Sequence, residues 1–180
     1  VRTIKHIFFF LILAGTILVS CQDETRMKQS VRSRIFPGYH LLLDEILRSP
    51  EGVFRGINLN TPSGLIKQME VISPTEDTED HLYYEFQSDS LINYTVDYAF
   101  NKDSLEEISV QIYTSDLDLS SYLFCDLKDY YANKLPNPRE DKGYVVYNCF
   151  EGQRKPFVVS LSDNSSLSRG IITMVIYKDN

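Results

Sequence analysis

The chain is 180 residues long, carries 25 Asp and Glu against 18 Lys and Arg for a formal charge of −7, and has three Cys and no Trp. That acid excess argues against a binder of phosphate backbones, which needs clustered basic side chains, and the densest basic stretch, residues 26–34, lies in a run with few apolar residues. The roughly 145 residues beyond it can bury about two thirds of their unfolded surface, enough for one core without a disulfide lattice.

At the start of the chain Arg2, Lys5 and His6 precede residues 7–19, apolar except for Gly15 and Thr16, and Leu18-Val19-Ser20-Cys21 closes the run. A basic head, a short apolar stretch and a small residue before the cut make a secretion signal. The apolar run is well short of the roughly 20 residues that span a bilayer. The closing tetrapeptide resembles the cleavage box of bacterial lipoproteins, in which signal peptidase II cuts before a Cys carrying diacylglycerol. The resemblance implies that residues 1–20 are a removed signal peptide, that Cys21 is lipidated, and that its acyl chains hold the protein to a membrane, each buried methylene contributing about 0.8 kcal/mol. By the sorting rule of enterobacterial lipoproteins, Gln22 after the lipid-bearing Cys implies the outer membrane. Asp23-Glu24 is similar to the acidic surface-export signal of Bacteroidetes lipoproteins, so the anchored domain would lie on the periplasmic side or at the cell surface. Residues 21–35 read as a flexible tether, too polar to offset their ordering entropy by burial, and residues 36–180 as a single domain.

Residues 36–48, FPGYHLLLDEILR, place Tyr39, Leu42, Leu43, Ile46 and Leu47 at helical spacing between Pro37 and Pro50, which predicts a helix. His40 lies in it without a second imidazole at i+4, so no metal site is expected there. Residues 52–59 read as an extended lead into Asn60-Thr61-Pro62, where Thr61 can cap a second short helix with Leu65, Ile66 and Met69 on its apolar side. This capped helix after an aliphatic lead is similar to the opening of small barrel-assembly lipoproteins of the outer membrane. Residues 73–80, SPTEDTED, are an acidic turn-rich loop without the alternating ligands and turning Gly of a calcium loop, and are read as solvated charge.

The clearest pattern follows. Leu82, Tyr84 and Phe86, then Ile92, Tyr94, Val96, Tyr98 and Phe100, then Ile108, Val110 and Ile112 alternate with polar residues, which predicts three half-buried strands joined in a meander. Asp89-Ser90-Leu91 and Asp103-Ser104-Leu105 resemble the Asp-Ser-aliphatic acceptor of Bacteroidetes O-glycosylation. Asp116 or Asp118 can cap a third helix that Pro136 and Pro138 stop, with Leu119, Leu123, Leu127, Tyr130 and Tyr131 as its stripe. Residues 143–150, 156–162 and 170–177 are three more strand-like runs.

Helix plus three strands thus occurs twice, over 52–115 and 116–180, and the expected fold class is α+β: an antiparallel sheet with helices on one face and a tandem repeat. That order resembles the tandem modules of the beta-lactamase-inhibitor-protein fold, in which the exposed sheet face binds protein.

The sequence holds no G-x-S-x-G elbow, no H-E-x-x-H and no phosphate-cradling Gly run, so no catalytic residue, cofactor or metal is assigned. The reading is an envelope-anchored, non-catalytic binding or assembly module for a protein or other envelope ligand. The alternative is a small periplasmic hydrolase with an unidentified carboxylate pair. In an oxidising compartment Cys125 and Cys149 are expected to form a disulfide. On the face opposite the presumed core the second half carries Val145, Tyr147, Val175 and Tyr177, and so apolar a face calls either for cover by residues 36–48 and the chain leading into them or for a partner-binding patch of these four residues.

Overall fold

Eight strands hydrogen-bond into one antiparallel sheet in the computed structural model, which describes residues 34–88, 92–135, 138–148 and 156–179. In chain order the elements are α1 (Leu41–Ile46), α2 (Ser63–Met69), β1 (Glu76–Asp77), β2 (His81–Gln87), β3 (Ile92–Asn101), β4 (Ser104–Thr114), α3 (Leu117–Lys134), β5 (Arg139–Asp141), β6 (Tyr144–Asn148), β7 (Phe157–Asp163) and β8 (Gly170–Lys178). Across the sheet the order is β1-β2-β3-β4-β8-β7-β6-β5. Each half is a meander, and the two meet where β4 pairs with β8 from Glu107↔Tyr177 to Thr114↔Gly170. Residues Ile35–Asn180 form one compact unit.

The expected α+β layer is overturned. Among the described residues strand outweighs helix by 42% to 23%, and they form one large antiparallel sheet with short helices rather than a sheet under a helical layer. The cause lies in the first half. Of residues 36–48 only six are helical, because Phe36–Tyr39 turns with Gly38 at φ 97° and the chain leaves the helix through Arg48 at φ 57°. The second helix has seven residues, against eighteen in α3. Apolar residues at helical spacing reported burial, and two turns of backbone satisfied it. The helix that precedes the strands of the first half, α2, is less than half the length of α3, so the two halves differ most in their helical element.

The alternating residues of β2, β3 and β4 do form strands, and period 2 puts one set on the core. Register aligns them into rows that cross six strands. Tyr84, Val96, Val110, Met174, Leu161 and Val145 make one, and Leu82, Tyr98, Ile108, Ile176, Val159 and Tyr147 the next. All twelve are buried, each large aliphatic contributing about 1.5–3 kcal/mol over an exposed position.

Over the second half of these rows lies α3. The Asp116 carboxylate accepts the Leu119 N–H at 3.0 Å and caps it, and Ser120, Leu123, Leu127 and Tyr131 form its buried stripe. Ser120 is pressed against β8: a Cβ at Gly170 would come within 2.5 Å of the Ser120 Cβ and 2.7 Å of Thr114 Cγ2. The chain from Leu47 to Glu70 covers the first half, burying Val53, Phe54, Ile57, Leu59 and Ile66 in the same core. Lys134 joins the two covers, its ammonium donating to the carbonyls of Pro50 at 3.0 Å and Gly52 at 2.7 Å. Burial lowers its pKa.

Candidate functional site

The irregular cover is held down by buried charge. Phe54-Arg55-Gly56-Ile57 is a tight turn in which the Ile57 N–H donates to Phe54 O at 2.8 Å, and the Phe54 N–H to Ile57 O at 3.2 Å. Arg55 at φ 54° and Gly56 at φ 82° both lie in the left-handed region, natural for Gly but costing a side-chain-bearing residue about 1–2 kcal/mol. The turn aims the Arg55 guanidinium inward. Its Nη2 sits 3.2 Å from Glu70 Oε2, which also takes Arg48 Nη1 at 2.8 Å, while the Tyr98 hydroxyl donates to Glu70 Oε1. The side chains of Arg55 and Glu70 are 2% and 1% exposed. Arg55 Nε and Nη1 have no hydrogen-bond acceptor. They lie among aromatic rings instead, with the guanidinium carbon 4.5 Å from the centre of Phe86 and 6.0 Å from Tyr94, a contact that offsets part of the desolvation. Burial beside Glu70 pushes the Tyr98 phenol well up, and Tyr84, whose hydroxyl is also unpartnered, to about 12. This cluster anchors the Leu47–Glu70 segment, with Arg55 and Glu70 enclosed and only Arg48 partly exposed.

The other face of the sheet has a different character. Its residues also line up in rows. Glu76, Tyr83, Asp97, Ser109, Val175, Ser160, Val146 and Arg139 run from edge to edge across all eight strands. The adjacent row is Glu85, Thr95, Gln111, Thr173 and Ser162, and beyond it Gln87, Asn93, Tyr113 and Ile171. Short hydroxyl and amide side chains in the middle, with Tyr83, Tyr113 and Tyr177 around them, make a wide surface of hydrogen-bonding groups and rings. Arg169 lays its guanidinium over Tyr113, 4.6 Å from the ring centre.

Asp97 stands in the middle of the first half of this face. Its cross-strand neighbours are Tyr83 and Ser109, and its Oδ1 is buried with no hydrogen-bond donor. Desolvation raises its pKa against the opposing influence of His81. His81 Nε2 is 3.2 Å from Glu76 Oε2 and so is already engaged. The nearby Asp80 carboxyl is pushed the other way by the Thr78 hydroxyl, but it is fully exposed in a turn. Neither of these two carboxylates lines either cavity beside α3. One cavity, of about 420 Å³, lies between residues 37–39 and Asp129, Ala132 and Asn133. The other, of about 260 Å³, lies between Lys128, Asp129 and Ala132 of α3 and Arg139, Glu140, Val145 and Tyr147.

The four residues expected to form one partner-binding patch are divided. Val145 and Tyr147 lie on the core face beside α3, where the Tyr147 hydroxyl donates to Lys128 O at 2.9 Å and burial pushes its pKa to about 12. Val175 and Tyr177 lie on the opposite face, Tyr177 37% exposed. Alternation could not give the phase of β6, because Val145, Val146, Tyr147 and Asn148 are all buried; pairing with β7 decides it. Cys21 and Cys149 lie outside the described residues. Cys125 is exposed on α3 and forms no disulfide with a described residue. Of the two glycosylation-like triplets, residues 89–91 lie outside the described residues, while Asp103 accepts from Ser63 at 2.9 Å and Ser104 donates to Asn60 Oδ1 at 3.2 Å.

In the sequence Asp97 reads as one of many water-facing acids. Only register shows it flanked on both sides and desolvated. Among the described residues no three His, Cys, Asp or Glu converge as a metal site, and no helix is long and apolar enough to cross a membrane. No protein-family model, no curated protein and no solved structure matches this chain.

Proposed function

We propose that this chain is a lipid-anchored, non-catalytic binding module of the bacterial envelope, held at the outer membrane through Cys21, whose open sheet face receives a protein partner. One observation carries the reading: on the face away from the core one row of residues crosses all eight strands, and with its neighbouring rows it makes a broad surface of polar side chains set with Tyr83, Tyr113 and Tyr177. Such a face spans about 34 Å at 4.8 Å per strand spacing, the scale of a protein contact rather than of a small-molecule pocket. Tyrosine supplies large, rigid contact area with a hydrogen-bonding tip. The leader and its Leu18-Val19-Ser20-Cys21 box support the anchoring half of the proposal.

A photo-crosslinking amino acid at Tyr113, on the open face, is compared in growing cells with one at Tyr122, which is 70% exposed on α3. The expected result is a discrete adduct from position 113 alone, lost when Cys21→Ala blocks acylation. Adducts of equal yield from both positions, or only from 122, would overturn the assignment of the face.

A further inference from the structure

Resting on that reading of the open face, the structure points to the chemistry of its partner. We propose that the β2–β4 half of the face receives a cationic stretch of polypeptide, laid across the strands so that successive Lys or Arg side chains meet Glu85, Asp97 and Glu107.

Three observations carry this. The first is composition by face: the open-face positions of β2, β3 and β4 include Glu85, Asp97 and Glu107 but no Lys or Arg. The nearby cations are already committed, Lys67 to Asp77 at 2.6 Å and Lys178 to Glu106 at 3.3 Å. The second is placement. Glu85 pairs with Thr95, Asp97 with Tyr83 and Ser109, and Glu107 with Ala99, so the three carboxylates step one strand across and two residues along at each move. At strand and residue spacings of about 4.8 and 3.3 Å they stand on a diagonal about 8 Å apart. Alternate side chains of an extended chain repeat at about 6.6 Å, and Lys or Arg stems are long enough to absorb the difference. That spacing is also too wide for one metal ion, in keeping with the absence of a convergent cluster among the described residues. The third is that the face already accepts one organic cation: the Arg169 guanidinium sits over the Tyr113 ring. Asp97 is the centre of the diagonal, with an oxygen that no donor among the described residues reaches. An incoming ammonium or guanidinium would supply that donor and, next to Tyr83, a ring to pack on.

The test uses the full chain in detergent with four fluorescent octapeptides: (Lys-Ser)4, (Arg-Ser)4, (Gln-Ser)4 and (Glu-Ser)4. Anisotropy at low salt should show the two cationic peptides binding, and carbodiimide coupling of (Lys-Ser)4 followed by peptide mapping should place the new amide bonds on Asp97, Glu85 and Glu107. Asp97→Asn should weaken binding about tenfold, as expected for one desolvated charge pair, whereas Asp118→Asn, an exposed acid on α3, should leave it unchanged. A melting temperature for Asp97→Asn no lower than wild type shows that folding is not the cause. Equal loss in Asp97→Asn and Asp118→Asn, coupling spread over all carboxylates, or equal binding of (Glu-Ser)4 would overturn the proposal. Binding of (Gln-Ser)4 that disappears in the double variant Tyr83→Ser, Tyr113→Ser would overturn the cationic partner while leaving the face itself as the binding surface. A failed crosslink at position 113 would remove the face.

Discussion

Two covers close the same core, and they are built on opposite principles. Over β6–β8 lies α3, whose backbone satisfies itself, so an apolar stripe and a small-residue contact at Ser120 and Gly170 are enough to dock it. Over β2–β4 lies the mostly irregular chain from Leu47 to Glu70, which has only one short helix and must be fixed from outside. It is fixed by a left-handed Arg55, a carboxylate shared by two guanidiniums and a phenol donating from the sheet. Irregular cover therefore concentrates its stability in a few charged contacts, while helical cover spreads it along a stripe.

Glu70→Ala is the sharpest way to break the comparison. It strips two guanidiniums of their shared counter-ion, one of them 2% exposed, and should cost about 3–5 kcal/mol in a urea titration. Replacing Arg48, Arg55 and Glu70 together with Met, Met and Leu should recover most of that loss, since the penalty comes from orphaned charge. A Glu70→Ala midpoint within experimental error of wild type would mean that the network does not anchor the cover. The helical side should respond to lost apolar volume: Leu127→Ala, fully buried, is expected to cost about 2–5 kcal/mol through transfer and cavity terms, with no dependence on salt. Gly170→Ala comes next. A methyl there meets Ser120 and Thr114 at under 3 Å, and moving α3 off β8 should cost about 1–3 kcal/mol. The double variant Gly170→Ala, Ser120→Gly removes the Ser120 contacts but leaves Thr114 Cγ2 at 2.7 Å, and should regain part of the loss, whereas an unchanged midpoint in Gly170→Ala alone would show that the contact is loose.

How far the sequence could be read follows the same division. Strands with one wet face announce themselves, and β2, β3 and β4 lie where alternation put them. β6 does not, because four consecutive residues are buried and the pattern carries no phase. The edge strands β1 and β5 are wholly exposed and largely acidic, a composition that discourages edge pairing and reads as loop. Apolar spacing in residues 36–48 and in α2 suggested more helix than forms, and Leu65 and Met69, expected on the buried side of α2, are 47% and 37% exposed, leaving Ile66 as the only buried residue there. The Arg48, Arg55 and Glu70 cluster was illegible because isolated charges read as surface; the Arg55-Gly56 pair between apolar residues was the available clue, since a Gly there favours a left-handed turn. Asp97 became visible only through its cross-strand neighbours.

The smallest expected effect tests whether Asp97 is kept for something other than stability. Its pKa is raised in the fold by desolvation, so the contribution of its protonated form is fully present below the ordinary value of 3.8 and is lost as pH rises through the raised one. At pH 7 the folded protein therefore carries a carboxylate that it would be slightly more stable without. Asp97→Asn should raise the melting temperature at pH 7 by an amount equivalent to less than about 1 kcal/mol, because the group is partly exposed and screened by solvent, and the advantage should vanish below pH 3.8. A variant that gains stability at neutral pH while losing the cationic peptide would separate recognition from folding at one residue, as expected where binding groups are held at a cost to the fold. If Asp97→Asn instead lowers the melting temperature at pH 7 and the deficit closes in acid, the carboxylate is a structural acceptor whose donor lies within the chain, and the open face loses the centre of its diagonal.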